Sequence, residues 1–432
     1  MLIFYTITLL GIAIAFLYLT NFDVLSPSFC IITSFFITSL ASNYFYLIYG
    51  YTIDIEVYGM IISSLVMFIF SERLVSRNRT IYLSRSTLST KYKFDYSKLV
   101  MMFFLLIGLV TLYLRYDYLI RGGSLYAPNG DFFEIVAKSR ICTVFPEKCP
   151  TVELSPFLKI GAILSRAIAC LLVVEYLYFK ATRSTNMKSN IYYFSFIGIY
   201  LLQLLFTTSR IGFVYFFIYV FYCWCFFNIS GNSNFKKVII RITKIGIISS
   251  TLFLLTFYVL GFFTSKSDDF SISDMLMRYM GLQVLSLQDY LLNSECNGAC
   301  SSTGSETFYT LRMYLSQMGL GGEVIKQTMP YSIVGTHQIN VFTGFRNYIN
   351  DFGVYSPPII MSIMGVIYGL MYRYFLSSSS GLIGISLYAF SIYPIFMMPW
   401  SDRFSNVYVS NQTILIFILI YILQKFVFNR RC

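Results

Sequence analysis

Apolar stretches long enough to cross a bilayer recur along this sequence, and they leave few folds open to it. A membrane-spanning helix needs about 20 predominantly apolar residues. Eleven stretches meet that need: 2–20, 28–49, 57–74, 99–119, 157–179, 191–206, 211–227, 245–263, 357–375, 382–398 and 407–428. Hydrocarbon offers no partner to backbone N–H and C=O groups, so such stretches must satisfy them internally, as helices do. Composition agrees: 56% of the 432 residues are hydrophobic and only 12% are charged, against about 25% charged in soluble domains. The expected fold is all-α and polytopic, with all eleven spans in a single integral membrane domain over residues 1–432. No basic residue precedes the first stretch and no small-residue cleavage site follows it, so it reads as a true first span.

Lys and Arg in short connections set the expected orientation. The link 73–98 holds Arg73, Arg77, Arg79, Arg85, Lys91, Lys93 and Lys98. The links with Lys180, Arg183 and Lys188 and with Lys236, Lys237, Arg241 and Lys244 are also basic, as is the tail with Lys425, Arg430 and Arg431. Eleven spans put all four on one side, the cytoplasmic one. The short link 50–56 carries Asp54 and Glu56 and no base. The N-terminus is then expected outside.

Two long loops fall on the outer side, 120–156 and 264–356. Each holds a close cysteine pair, Cys142 with Cys149 and Cys296 with Cys300. An oxidising compartment would let both pairs bridge. The larger loop is too long for a simple connection and too apolar for a disordered linker. It reads as helical. One helix is expected from Ser271, and another from near Ser305 with Phe308, Leu311, Leu315 and Met318 on a stripe that stops at Gly319. A third is expected over 340–350. Amphipathic helices beside spans tend to lie on the membrane surface, where they would cover the bundle at headgroup level.

The outer side also carries arginines that run against the charge bias: Arg210, Arg278, Arg312, Arg346 and Arg403. The planar guanidinium makes two charge-assisted hydrogen bonds to a phosphate, so a diphosphate at headgroup level is the expected ligand. Pairing with an acid or with ordinary phospholipid is the alternative for each. His337, the one histidine, is either a hydrogen-bonded structural residue or a general base. Asp289, Glu295, Glu323, Asp351 and Asp402 are the outer carboxylates singled out, each a candidate base or a salt-bridge partner. Tyr309, Tyr314 and Tyr348 either stack on sugars or pack at the interface.

A lone histidine and cysteine pairs without further ligands do not make a metal site, so no metal is expected. No GxxxxGK loop or nucleotide fold is present, so no nucleotide cofactor is expected and the donor substrate must arrive activated. Nothing points to nucleic acid; the bilayer is the expected surroundings. No internal repeat is visible, which argues against a repeat-built transporter.

The run Thr207, Thr208, Ser209, Arg210, Ile211 and Gly212 resembles the short Ser-Arg turn of the O-antigen polymerase family, the Wzy-type oligosaccharide repeat-unit polymerases. The segment 340–353, with Asn340, Arg346 and Asp351, is similar to that family's stretch before a late span, although Asn347 stands where a proline is expected. The many-span layout with a large late outer loop also fits. The resemblance implies a glycosyltransferase C-like fold in the bacterial inner membrane, with the site facing the periplasm. It implies undecaprenyl-diphosphate-linked glycans as substrates and no metal; chain length is set either by this protein or by a chain-length regulator as protein partner. Arg210 and Arg346 carry over as substrate contacts. His337 and Asp351 are candidate catalytic residues by proximity to the segment alone. A lipid-linked oligosaccharide flippase and an O-antigen ligase are the rival readings.

Overall fold

The structure, a computed structural model, describes residues 1–20, 22–76, 98–144, 149, 152–182, 187–208, 210–229, 244, 278–293, 304–320, 324, 332–335, 337–375, 381–408 and 410–428. It is an all-α polytopic membrane protein. In chain order the helices described are α1 (Leu2–Leu19), α2 (Pro27–Tyr49), α3 (Ile55–Ser76), α4 (Lys98–Ser124), α5 (Phe132–Val144), α6 (Pro156–Thr182), α7 (Met187–Phe206) and α8 (Arg210–Ile229). There follow α9 (Gln283–Asn293), α10 (Tyr309–Gln317), the strands β1 (Ser332–Val334) and β2 (His337–Ile339), α11 (Phe345–Phe352) and α12 (Ser356–Phe375). The remainder are α13 (Gly381–Ser391), α14 (Tyr393–Phe396), α15 (Phe404–Tyr408) and α16 (Asn411–Phe428).

Seven of the helices described are long and apolar enough to cross a membrane, and three shorter apolar ones match the stretches expected at 191–206, 382–398 and 407–428. The stretch expected at 245–263 lies outside the described residues, as do the helix start expected at Ser271 and the pair Cys296 and Cys300.

The chain forms two compact units. The first takes Met1–Ile81, Ser273–Leu376 and Ser391–Ile414. Its α2 begins with Pro27 behind Ser26, whose side chain accepts from the Phe29 N–H, and ends at Gly50 with φ 71°. Its tightest seam joins α3 and α12. A Cβ on Gly365 would lie 2.5 Å from the Phe68 carbonyl oxygen, and one on Gly369 would lie 2.9 Å from that of Glu72. Small residues four apart let two spans approach backbone to backbone, the usual basis of helix association in lipid. At the Ser76 end of α3, Arg73 faces Glu72 at 3.2 Å and Asp23 at 3.5 Å, and Tyr372 donates to Asp23 at 2.7 Å.

The described parts of 264–356 include segments at the opposite end of this unit, where α2 runs into α3. Tyr51 donates to the Val334 carbonyl (3.4 Å), and the Asp54 N–H donates to Gln288 of α9 (2.7 Å). The loop reads as helical from its sequence, but part of it is not. Residues 332–339 form a β-hairpin, with Val334 paired to His337 across a turn that begins with Gly335 at φ 59°. Left-handed backbone favours glycine there, and alternate residues of each strand are buried. The helix expected at 340–350 begins later, at Phe345, and runs to Phe352.

The second unit takes Tyr82–Ile272, Ser377–Phe390 and Leu415–Cys432. Here Cys142 and Cys149 form a disulfide, in a small cluster with Tyr118, Val152 and Leu158. Polar side chains bind the spans to one another: Gln203 donates to the Gly108 carbonyl (2.8 Å) and Tyr219 to that of Cys170 (2.9 Å).

Candidate functional site

In the first unit, α11 starts where it does because Gly344 allows a close backbone approach. The Gly344 N–H donates to the Met398 carbonyl at 2.8 Å. A Cβ at 344 would lie 2.7 Å from Met398 Sδ and 2.9 Å from the Asp402 nitrogen. Two residues on, Arg346 is buried, only 4% exposed. Its Nη1 donates to Glu306 Oε2 at 3.0 Å and its Nη2 to Oε1 at 3.2 Å. This is the fork-to-fork geometry of a strong ion pair. The rings of Tyr290 and Phe342 stand 5.0 Å and 5.2 Å from Cζ, within cation–π range.

The ion pair belongs to a closed ring of polar groups. The Tyr290 hydroxyl donates to Asn350 Oδ1 at 3.0 Å, and the Asn350 side chain hydrogen-bonds the Glu306 carboxyl. Burial pushes the Glu306 carboxyl above its ordinary range; the Arg346 charge opposes the rise without cancelling it. A carboxyl so placed is readier to take a proton near neutrality than an exposed one.

Asp351, expected as a catalytic residue, is fully buried and acts as a backbone anchor. It accepts from the N–H of Thr307 (2.6 Å), the N–H of Glu306 (3.1 Å) and Ser305 Oγ (3.3 Å). These donors belong to the turn leading into α10, so Asp351 fixes the backbone that carries Glu306. The acid that meets the arginine is therefore Glu306, which the sequence reading passed over. Its one local signal is its place beside Ser305, just before the stripe Phe308, Leu311, Leu315 and Met318, where acids favour a helix start.

Other expected residues share this end of the unit. His337 sits on β2 at 3% exposed, edge-on to Phe45 at 5.8 Å and Tyr49 at 5.2 Å. Asn340 follows β2 and is exposed. Arg312 lies on α10 and is half-buried. Arg403 is also half-buried, and its Nε donates to Ser401 at 3.0 Å. Asn406 on α15 ties these segments together, donating to the Glu306 carbonyl (3.3 Å) and accepting from Thr310 Oγ1 at its own carbonyl (3.1 Å). The half-buried Arg278 precedes Tyr279, whose carbonyl accepts from Trp400 Nε1 at 2.9 Å. The structure thus brings the segments of Arg278, Arg312, Arg346 and Arg403 together, with Arg346 in a two-bond grip on a carboxylate.

Two expected candidates are sequestered. Asp402 is buried and accepts from the Phe404 N–H (2.9 Å), Ser405 and Tyr348. Burial raises its carboxyl. Tyr348 is fully buried, which removes it as a sugar platform. Tyr314 keeps partial exposure while its hydroxyl accepts from the Asn411 N–H at 2.9 Å.

Arg210 belongs to the second unit, where it opens α8. The turn before it holds Thr208 at φ 53°, an uncommon backbone for a β-branched residue. Among the described residues, no three His, Cys, Asp or Glu side chains are grouped as metal ligands would be. No family model, curated protein or solved structure matches the chain.

Proposed function

We propose that this protein is an O-antigen polymerase with a glycosyltransferase C-like fold. It joins undecaprenyl-diphosphate-linked oligosaccharide repeat units at the periplasmic face of a bacterial inner membrane. The observation that carries the reading is the Arg346–Glu306 pair, held between two aromatic rings on the segment that resembles the family's. The Cys142–Cys149 disulfide supports an oxidising, exoplasmic location for the loop expected there.

In this reaction the acceptor hydroxyl of one lipid-linked repeat unit attacks the anomeric carbon of the donor glycan. The C–O bond to the donor's diphosphate breaks, and the lipid diphosphate leaves with the electron pair. Glu306, its carboxyl raised by burial, takes the hydroxyl proton. As Glu306 is neutralised, the Arg346 guanidinium turns its fork to the departing diphosphate, whose developing charge it stabilises. The knitted segments 278–293, 304–317 and 400–408 hold the two glycans in line, which supplies the proximity component. Arg278, Arg312 and Arg403 present further cations to the same anion.

Deletion of the gene tests the reading. Surface lipopolysaccharide is expected to carry a single repeat unit in place of a ladder. A ladder of unchanged length overturns the polymerase. Loss of every repeat points to the flippase or ligase instead.

A further inference from the structure

Among the described residues of the second unit, Arg166 has no carboxylate to match it. Arg166 lies ten residues after Pro156, the first residue of α6, or about 15 Å along the axis. Its Nε donates to the Tyr200 hydroxyl of α7 at 3.3 Å. The Tyr215 ring of α8 stands 4.9 Å from its Cζ. Tyr200 is itself fixed, packed edge-on against Phe216 at 5.1 Å. The polar groups that influence Arg166 are Tyr200, Tyr215 and Cys170. Among the described residues no acid pairs with it. Glu175, the acid on its own helix, is nine residues further along, about 13.5 Å away, and accepts from Tyr193 at 3.5 Å.

A guanidinium has five N–H donors, and one is used by Tyr200. The residue is only partly buried, and the bond to Tyr200 uses Nε rather than the outer fork. An ionised side chain within an apolar helix is costly without a counter-charge and marks a functional site. Tyrosine oxygen and an aromatic face soften that cost but carry no formal negative charge at neutral pH. The depth narrows the ligand. Tyr215 lies five residues into α8, counted from Arg210, or about 7.5 Å along its axis. An anion that reaches one and a half turns inside a bundle end, among apolar helices, arrives on an apolar tail. A phosphate matches the free planar fork.

We propose that Arg166, set by Tyr200 and Tyr215, is a binding site for a lipid-borne phosphate, one and a half turns inside the end of α8 that Arg210 opens. Its identification with the diphosphate of the polyprenyl substrate rests on the polymerase reading; the site itself does not.

The test uses the full chain in nanodiscs of a phosphate-free galactolipid, titrated with undecaprenyl diphosphate or with phosphatidylglycerol. The wild type is expected to bind, and Arg166→Gln to bind at least tenfold more weakly. Arg166→Lys, which keeps the charge and loses the fork, is expected to fall between them. Selective binding of undecaprenyl diphosphate identifies the substrate lipid as the source of the phosphate. Equal binding of phosphatidylglycerol identifies membrane phospholipid. Equal affinity in the wild type and both variants overturns the site, as does a wild type that binds neither lipid. If Arg166→Gln fails to fold, the Lys variant decides. An unchanged ladder after gene deletion fells the polymerase reading alone and leaves this site standing.

Discussion

Arg346 and Glu306 lie 40 residues apart in sequence and meet through two hydrogen bonds, at 3.0 Å and 3.2 Å, with the arginine 5% and the glutamate 11% exposed as side chains. Burial makes this pair conditional. Each charge is tolerated there because the other is present.

Removing one partner strands the other. Arg346→Ala is expected to destabilise the first unit by about 3–5 kcal/mol, the range for breaking a buried pair. The double variant Arg346→Leu with Glu306→Leu should recover much of that loss while abolishing polymer formation. Denaturation in detergent, alongside glycan ladders in cells, separates the two effects. A double variant that still polymerises would remove the pair from the mechanism.

The raised Glu306 carboxyl has a pH signature. Its folded-state pKa lies above the unfolded value of about 4.3, so between the two the folded protein holds more protons. Unfolding in that window releases protons, and stability falls as pH rises through it. Asp402, also raised by burial, contributes with the same sign. Glu306→Gln is expected to flatten part of the slope, read as apparent melting temperature against pH. An unaltered slope would show that Glu306 titrates as an ordinary exposed acid.

Asp351 is expected to behave as an anchor. Asp351→Asn keeps one acceptor oxygen and loses the charge that three donors share. A loss of about 1–2 kcal/mol is expected, as for a missing helix cap. Activity should recover at low temperature, where the turn at 305–307 reforms. A variant as stable as the wild type but inactive at every temperature would restore Asp351 to the chemistry.

The hairpin turn depends on Gly335. At φ 59° any Cβ is strained, and here it would also strike the Tyr51 hydroxyl. Gly335→Val should release β1 and β2 from Tyr51, exposing His337 to modification by diethyl pyrocarbonate. Protection equal to that of the wild type would show that the hairpin holds without the glycine.

Opening the Cys142–Cys149 bridge should cost about 2 kcal/mol by loop entropy for so short a loop. Cys142→Ser with Cys149→Ser is expected to lower the melting temperature and to abolish its sensitivity to reductant. Equal sensitivity in wild type and variant would mean the bridge is absent in cells.

Membrane helices were legible in the sequence because their signal is one of length and hydropathy, which tertiary packing does not override. Arg346 stood out through its surroundings at 340–353, but its partner did not. Nothing local tells an acid that starts a helix from one that, like Glu306, meets an arginine 40 residues later. The partners of Asp351 were hidden for the same reason: its oxygens face the backbone of another segment, more than 40 residues earlier. The hairpin was hidden in a short, mixed run where Ile333 and Gln338 point outward and Val334 and Ile339 inward, too brief for periodicity to declare itself.

Helix α11 grips the same short segment twice, by the Glu306 side chain through Arg346 and by the 306–307 amides through Asp351. Two handles five residues apart on one rigid rod forbid both sliding and swivelling. The acid therefore cannot drift relative to the base that faces it, whatever the remainder of the loop does. Any ligand that displaces the carboxylate from the guanidinium finds it still tethered within reach, ready to return when that ligand departs.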